Sequence, residues 1–418
     1  MKFAALSLLL SVTTMVVIGI IMLFSTGSFS RDAYKVVKVA PKTEAAAKAA
    51  PSAAAKDSAD DDDEPEQFGP VQKQIVWDPA SLVRRQALWL CIGIVLCVVA
   101  TLTPYQFWQK TWPIWFGVAI VLLLLCFGFP KINGSHRWIR FGPLSFQPSE
   151  VGKIAAITFL AAWFHKYEAE VRSLRKGIIY PLAIVGVILA LIAPEVDLGT
   201  TSIIFGTAFV MIFVAGAKMR YLLPLPVVAI SGILYVAIHI PERLKRLGAF
   251  LDLEKFKDAG GYQQWMGLIA LGSGGVNGLG LGMGRQKFSF LPEAHTDFIF
   301  PTIGEELGLV CTLLIVFCYV VMIISGIAIS LNARDRFGML LGVGITVILA
   351  LQAAMNIGVT TALLPNKGIP LPFISYGGSN LLFCLLGVGI LLNIYRNGGP
   401  EKTVRSVTKP RPIMTPRI

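Results

Sequence analysis

Residues 286–300 read QKFSFLPEAHTDFIF, and the apolar run opened by Phe298 continues to about residue 328. Lys287, Glu293, His295 and Asp297 thus stand directly before a stretch long enough to cross a bilayer, which takes about 20 mostly apolar residues. A carboxylate at the mouth of a helix bundle is costly to desolvate, so its presence there calls for a reason.

Working outward, the run at 298–328 is one of about ten; the others cover roughly 5–24, 86–103, 112–129, 150–165, 178–194, 200–216, 222–240, 338–358 and 379–395. The chain of 418 residues is 55% hydrophobic and 15% charged, outside the range of soluble proteins of this size. Backbone in lipid must satisfy its own hydrogen bonds, so these runs are expected as helices. A membrane barrel would need repeated ten-residue segments of alternating polarity, and the sequence has none. The expected fold is therefore an all-α polytopic membrane protein, about ten helices with a large extracytoplasmic loop (241–297) between helices seven and eight.

Charge sets the orientation. Lys166, Arg172, Arg175, Lys176, Lys218, Arg220, Arg334, Arg336 and the basic tail 396–418 fall on one side, predicted cytoplasmic by the positive-inside rule. The short loop Glu195–Thr201 opposite carries no Lys or Arg, and the loop Pro365–Ser379 carries only Lys367. Residues 1–24 read as an uncleaved first helix in preference to a signal peptide, whose apolar core is shorter. The net charge of +12 is spread over membrane-flanking loops, so nucleic acid is not expected as a partner. All six cysteines lie in apolar runs with no CxxC pair, which speaks for buried packing over zinc or redox chemistry. The segment 25–84 is Ala-rich and then acidic (AAAKAAPSAAAKDSADDDDEPEQ), too polar to offset its ordering entropy; it is expected as a disordered outer insert between helices one and two.

Four outer loops hold the unusual polar residues. In the first (133–150), Pro148-Ser149 opens a helix that places Glu150 and Lys153 on one face, as a packing ion pair or as groups facing a wet cavity. In the second (194–201), Asp197 is either an unneutralised acid or a helix N-cap. The third (241–297) begins with an amphipathic stretch, Pro241–Lys257, suited to the membrane interface. It continues through Gly272–Gly284, which lacks the GK[ST] ending of a phosphate loop and reads as close backbone packing or approach to a lipid head group. Arg285 and Lys287 follow, then Glu293, His295 and Asp297; a single His with loose acid spacing is a weak metal signal, and packing against the loop is the preferred reading for His295. The fourth (364–379), LPNKGIPLPFISYGGS, reads as an ordered re-entrant turn with Lys367 on the outer side. Together Arg137, Arg285, Lys287 and Lys367 predict a basic outer surface beside Glu150, Asp197 and Asp297, suited to a diphosphate ligand.

NGSHRWIRFGPLSFQPSE, DLGTT, LPEAHTDFIFPTIGEELG and LLPNKGIPLPFISYGGS, in this order and spacing, closely resemble the SEDS family (shape, elongation, division and sporulation proteins) across nearly the whole membrane part. The strap wording is more similar to the division branch than to the elongation branch. The long first outer loop departs from the family pattern, as does Pro301, expected to kink the start of its helix. The resemblance implies a peptidoglycan glycosyltransferase of the bacterial cytoplasmic (inner) membrane, active on the extracytoplasmic face, that polymerises lipid II and releases undecaprenyl diphosphate. It implies Asp297 as the essential acid, with Glu150, Lys153 and Asp197 in a central polar cavity and Arg137 and Lys367 as basic outer positions. It also implies a divalent cation (Mg2+ or Mn2+) with ligands unknown, a class B penicillin-binding protein as cross-linking partner, and other divisome proteins. A lipid II flippase is the competing reading, and Glu150, Lys153 and Asp197 are the residues it would use; the position of Asp297 at one membrane face favours the enzyme.

Overall fold

The computed structural model describes residues 2–27, 34–39, 72–77, 80–130, 135–141, 144–195, 197–239, 241–288 and 290–398. Thirteen α-helices run through them: α1 (Lys2–Gly27), α2 (Ala80–Leu102), α3 (Gln106–Cys126), α4 (Pro148–Lys166), α5 (Tyr180–Ile192), α6 (Leu198–Val214), α7 (Met219–Leu222), α8 (Pro224–His239), α9 (Pro241–Leu251), α10 (Tyr262–Gly274), α11 (Ile299–Leu331), α12 (Arg336–Thr360) and α13 (Gly378–Asn397). A helix occupies each of the ten expected ranges. Among the described residues seven are both long and apolar enough to cross a membrane: α1, α2, α3, the run through α5, α11, α12 and α13. The protein is an all-α polytopic membrane protein, and α1, α2, α3 and α11 turn exposed apolar faces outward (Leu10, Val95, Val121, Phe317).

α4 is the centre of the bundle. Every residue from Pro148 to Ala162 is buried, so protein surrounds it on all sides. Pro148 occupies its first turn, where the missing N–H costs nothing, and His165 and Lys166 close the end where the helix dipole favours positive charge. α3, α6 and α12 pack around it, while α13 lies along α2 and α1 along α11. Two N-caps fix the entry of helices near the core: Asp197 accepts from the Thr200 N–H at 3.0 Å, and Asp335 from the Gly338 N–H at 2.7 Å.

Three expectations change. Residues 25–84 are not one unstructured insert: β1 (Tyr34–Val39) pairs antiparallel with β2 (Gln72–Trp77), and α2 already begins at Ala80. The β-branched and aromatic content of YKVVKV and QKQIVW accounts for the pairing; residues 40–71, including the acidic run, lie outside the described residues. The run 298–328 is not one continuous helix, since Gly308 adopts φ 74°, ψ −174° and breaks α11. Pro301 is not the cause, because it sits in the first turn. Finally, the loop 241–297 contains a second helix, α10, against which α11 packs closely through Gly274 and Gly304. A small hairpin, β3 (Ile139–Phe141) with β4 (Leu144–Phe146), leads into α4.

Candidate active site

The loop before α11 and the strap between α12 and α13 are bonded to each other through the main chain. Three successive carbonyls of the loop are each held by a donor from elsewhere. His295 O accepts from the Tyr376 N–H at 3.0 Å, Thr296 O from Ser375 Oγ at 2.6 Å, and Asp297 O from Asn356 Nδ2 at 2.8 Å. Asn356 Nδ2 also donates to Ile369 O at 2.6 Å, so one α12 amide grips both segments. Over the Asp297 carboxylate lies Gly368, where any side chain would start 2.6 Å from Oδ2. Only a glycine lets the strap come this close.

Three elements bring charge to this carboxylate. Burial, with the like charges of Glu293 and Asp197, pushes the Asp297 carboxyl up to about 7, while Arg137 and His295 pull it back. A side chain so poised is half ionised at neutral pH, which suits a group that must take a proton. Arg137 is fixed by its Nε–H, which donates to Glu195 O at 2.9 Å. The Glu195 carboxylate itself is fully buried, and neither oxygen has a hydrogen-bond partner among the described residues. Lys367, the strap residue before Gly368, lies 3.4 Å from Ser202 Oγ on α6.

Break and loop meet at a second polar centre. Where α11 breaks, the carbonyls of Glu305 and Glu306 accept from the N–H groups of Leu279 and Gly280, and both carboxylates are completely buried. Glu305 accepts from the Arg285 and Gln286 N–H groups; Glu306 takes Gly282 N–H at 3.0 Å, Ser25 Oγ from α1 and Lys287 Nζ at 2.7 Å. Backbone donors that would otherwise lack partners are thus satisfied by paired acids.

The chain is similar to known proteins in sequence and in fold. A family model described as a cell cycle protein, named for FtsW, RodA and SpoVE, matches residues 70–398. The chain belongs to the FtsW/RodA/SpoVE family. Within this family, a probable peptidoglycan glycosyltransferase FtsW of Geobacter sp. (strain M18) is 38% identical over 323 residues, 76% of this chain and 87% of its own. Stage V sporulation protein E of Bacillus subtilis (strain 168) is 39% identical over 323 residues, 76% of this chain and 88% of its own. A chain of a solved peptidoglycan synthase complex that coordinates polymerization and crosslinking aligns with TM-score 0.64 at 25% identity, over 76% of this chain and 90% of that one. The rod shape determining protein RodA of Thermus thermophilus shares the fold, with TM-score 0.60 at 23% identity over 94% and 96% of the two chains.

On this family frame the expected site residues separate. The charges of Asp197 and Arg137 both act on Asp297, and Lys367 adjoins the glycine over it. Asp197 is the N-cap of α6: Oδ1 accepts from the Thr200 N–H, Oδ2 from Thr200 Oγ1 at 2.9 Å and from Gln147 Nε2 at 3.3 Å. Its charge still reaches the site. Glu150 and Lys153 form a buried ion pair, Nζ 2.8 Å from Oε2 though off the hydrogen-bond axis, beside a small cavity that Gln352, Phe383 and Cys384 also line. Arg285 is exposed, as a basic surface requires, but Lys287 is not: it is 4% exposed and committed to Glu306. The burial of Lys287 leaves no local mark in the sequence because its acid partner lies 19 residues on, across a fold of the chain. His295 packs against the ring of Tyr376 on the strap, 5.8 Å between centroids. Gln352, Asn356, Glu195, Glu305 and Glu306 were not singled out beforehand. Polar residues at 352 and 356, four apart in an apolar helix, were the available signal for the first two.

Proposed function

We propose that this protein polymerises lipid II into glycan strands during cell division, with Asp297 as general base. The observation that carries this reading is a carboxyl raised to about 7 at one end of a membrane bundle, covered by Gly368 and acted on by the charge of Arg137. The Asp297 carboxylate takes the proton of the GlcNAc 4-hydroxyl of lipid II as that oxygen attacks the sugar carbon of the lipid-linked donor. The bond from that carbon to the diphosphate breaks, and undecaprenyl diphosphate departs with the electron pair, its charge met by Arg137 and Lys367. Backside attack on an α-linked donor yields the β-1,4 linkage with inversion. Because the diphosphate leaves without a proton, a second carboxylic acid of the kind used in glycoside hydrolysis is not needed.

A divalent cation reaches such a site as the companion of a diphosphate, held largely by phosphate oxygens and water. No group of three His, Cys, Asp or Glu side chains able to cage a metal ion exists among the described residues. The chain has no nucleophile motif for peptide cross-linking, so a class B penicillin-binding protein is the proposed partner at the septum, with other divisome proteins. Likeness to a synthase complex that couples polymerization with crosslinking supports that pairing. The division role rests on strap wording, PNKGIPLPFISYGGS, and on relatives named FtsW.

The test is polymerisation of labelled lipid II by the purified protein with its cognate transpeptidase, wild type against Asp297→Asn. Polymer from the wild type alone is the expected result. Equal polymer from both removes Asp297 as base, and lipid II scrambling in liposomes without polymer moves the assignment to a flippase.

A further inference from the structure

Two amides one turn apart on α12 stand behind the site. Gln352 and Asn356 are 2% and 1% exposed. Each places its NH2 on main-chain oxygen of the strap: Gln352 Nε2 donates to Pro370 O at 3.0 Å, and Asn356 Nδ2 to Ile369 O at 2.6 Å and to Asp297 O at 2.8 Å. Gln352 is oriented in turn. Its Oε1 accepts from Lys153 Nζ at 2.9 Å, and its Nε2 meets Asn380 Oδ1 at 2.7 Å. An amide flipped end for end would set Gln352 oxygen against the Pro370 carbonyl and nitrogen against an ammonium, so the lysine fixes which way it points. A continuous hydrogen-bonded path thus runs from the Glu150–Lys153 pair through Gln352 to Pro370, two residues from the glycine over Asp297.

We propose that Asn356 and Gln352 are positioning residues, Asn356 clamping the Gly368–Pro370 strap onto the Asp297 loop and Gln352 anchoring that strap to α12 at Pro370, and that Lys153 serves the reaction by orienting Gln352. The assignment rests on Asp297 being the base. It gives the Glu150–Lys153 pair a function other than contact with substrate, since a pair buried on α4 reaches the site through the α12 amides. Its chemistry is general: an acid whose main-chain oxygen and covering strap share one donor cannot shift relative to that strap without breaking a buried hydrogen bond.

Two readouts separate positioning from simple loss of fold. The first is hydrogen–deuterium exchange of the full-length protein, compared for wild type, Asn356→Ala and Gln352→Met. Exchange rises several-fold in peptides 286–298 and 364–377 and stays unchanged where α2 packs on α13. The second is the pH profile of lipid II polymerisation. Asp297 is faced by Glu293 and His295 from its own loop, Asp197 from α6 and Arg137 from the segment before β3, with Lys367 beside its strap. With the strap loosened and water admitted, desolvation weakens and the acid limb moves at least half a pH unit lower. kcat falls tenfold or more while KM changes less than twofold. Lys153→Met reproduces the Gln352→Met profile, and Glu150→Gln, which leaves the lysine on Gln352, does so more weakly. Unchanged exchange in both peptides overturns the clamp even if activity drops; a pH limb that stays in place while exchange rises removes Asp297 as the group that sets the limb. Because exchange needs no turnover, the clamp is tested independently; inactive wild type or an active Asp297→Asn variant refutes the base without touching the exchange result.

Discussion

At the scale of the residue, the decisive property is the acidity of Asp297. In the proposed role of general base Asp297 works only when ionised, so kcat/KM is expected to climb about tenfold per pH unit below the carboxyl value and to level above it. With that value raised to about 7, chiefly by burial and next by Glu293 and Asp197, the limb falls near neutrality instead of near pH 4. Glu293→Gln removes one like charge and leaves the loop carbonyl clamp in place; the limb is expected to move to lower pH, and a limb that stays put or rises excludes this electrostatic account. Stability runs the other way. The folded state binds the Asp297 proton more tightly than the unfolded chain, so the linkage is absent below about pH 4, becomes unfavourable as pH rises to about 7, and is constant above. Thermal melts of Asp297→Asn against wild type should therefore favour the variant increasingly across that window.

At the scale of the element, the break in α11 is the most consequential feature. Gly308 sits at positive φ with the Val276 carbonyl so close that any β-carbon would collide with it, and Leu309 N–H bonds to Gly275 O at 3.0 Å. The carbonyls released at the break are taken up by the glycine-rich loop, and paired acids hold that loop from the other side. Lys287→Met leaves Glu306 buried against two neutral donors. Such a loss costs about 3 kcal/mol or more, read as a lower melting temperature in detergent and as faster exchange over 275–288. Restoring neutrality with Lys287→Met/Glu306→Gln should recover part of the loss; an unchanged melting temperature for the single variant rejects a stabilising role. Part of this element was legible in advance. A long apolar run marks a helix whatever its interior does, but a glycine in such a run carries no mark of its dihedral angles, and Pro301 drew attention to the wrong turn. Asp297 was legible because a charge beside an apolar run is costly. Gln352 and Asn356 were not, because amides in a buried helix look the same in sequence whether they pack on a neighbour or hold a loop.

At the scale of the whole molecule, β1 and β2 form a hairpin of their own between α1 and α2. β1 and β2 bring residues 39 and 72 side by side, so the chain leaves and re-enters the hairpin at one point. Replacing 41–70 with a short Asn-Gly-containing turn should preserve polymerisation in vitro, since two-residue turns of that type close antiparallel pairs; loss of polymer from a well-folded deletion would assign the segment to the reaction. Helical organisation was legible across this scale, because bilayer thickness imposes run length. Pairing of the two distant strands was not, because register across a long polar segment leaves no local periodicity.

The clamp on residues 295–297 has an evolutionary meaning. It acts on carbonyl oxygens, which every amino acid carries, rather than on side chains. Exposed side chains at 292 and 293 can be exchanged during divergence without relocating Asp297. A lineage under selection for a different acceptor or a different partner can rewrite the rim of this site and inherit its register unchanged.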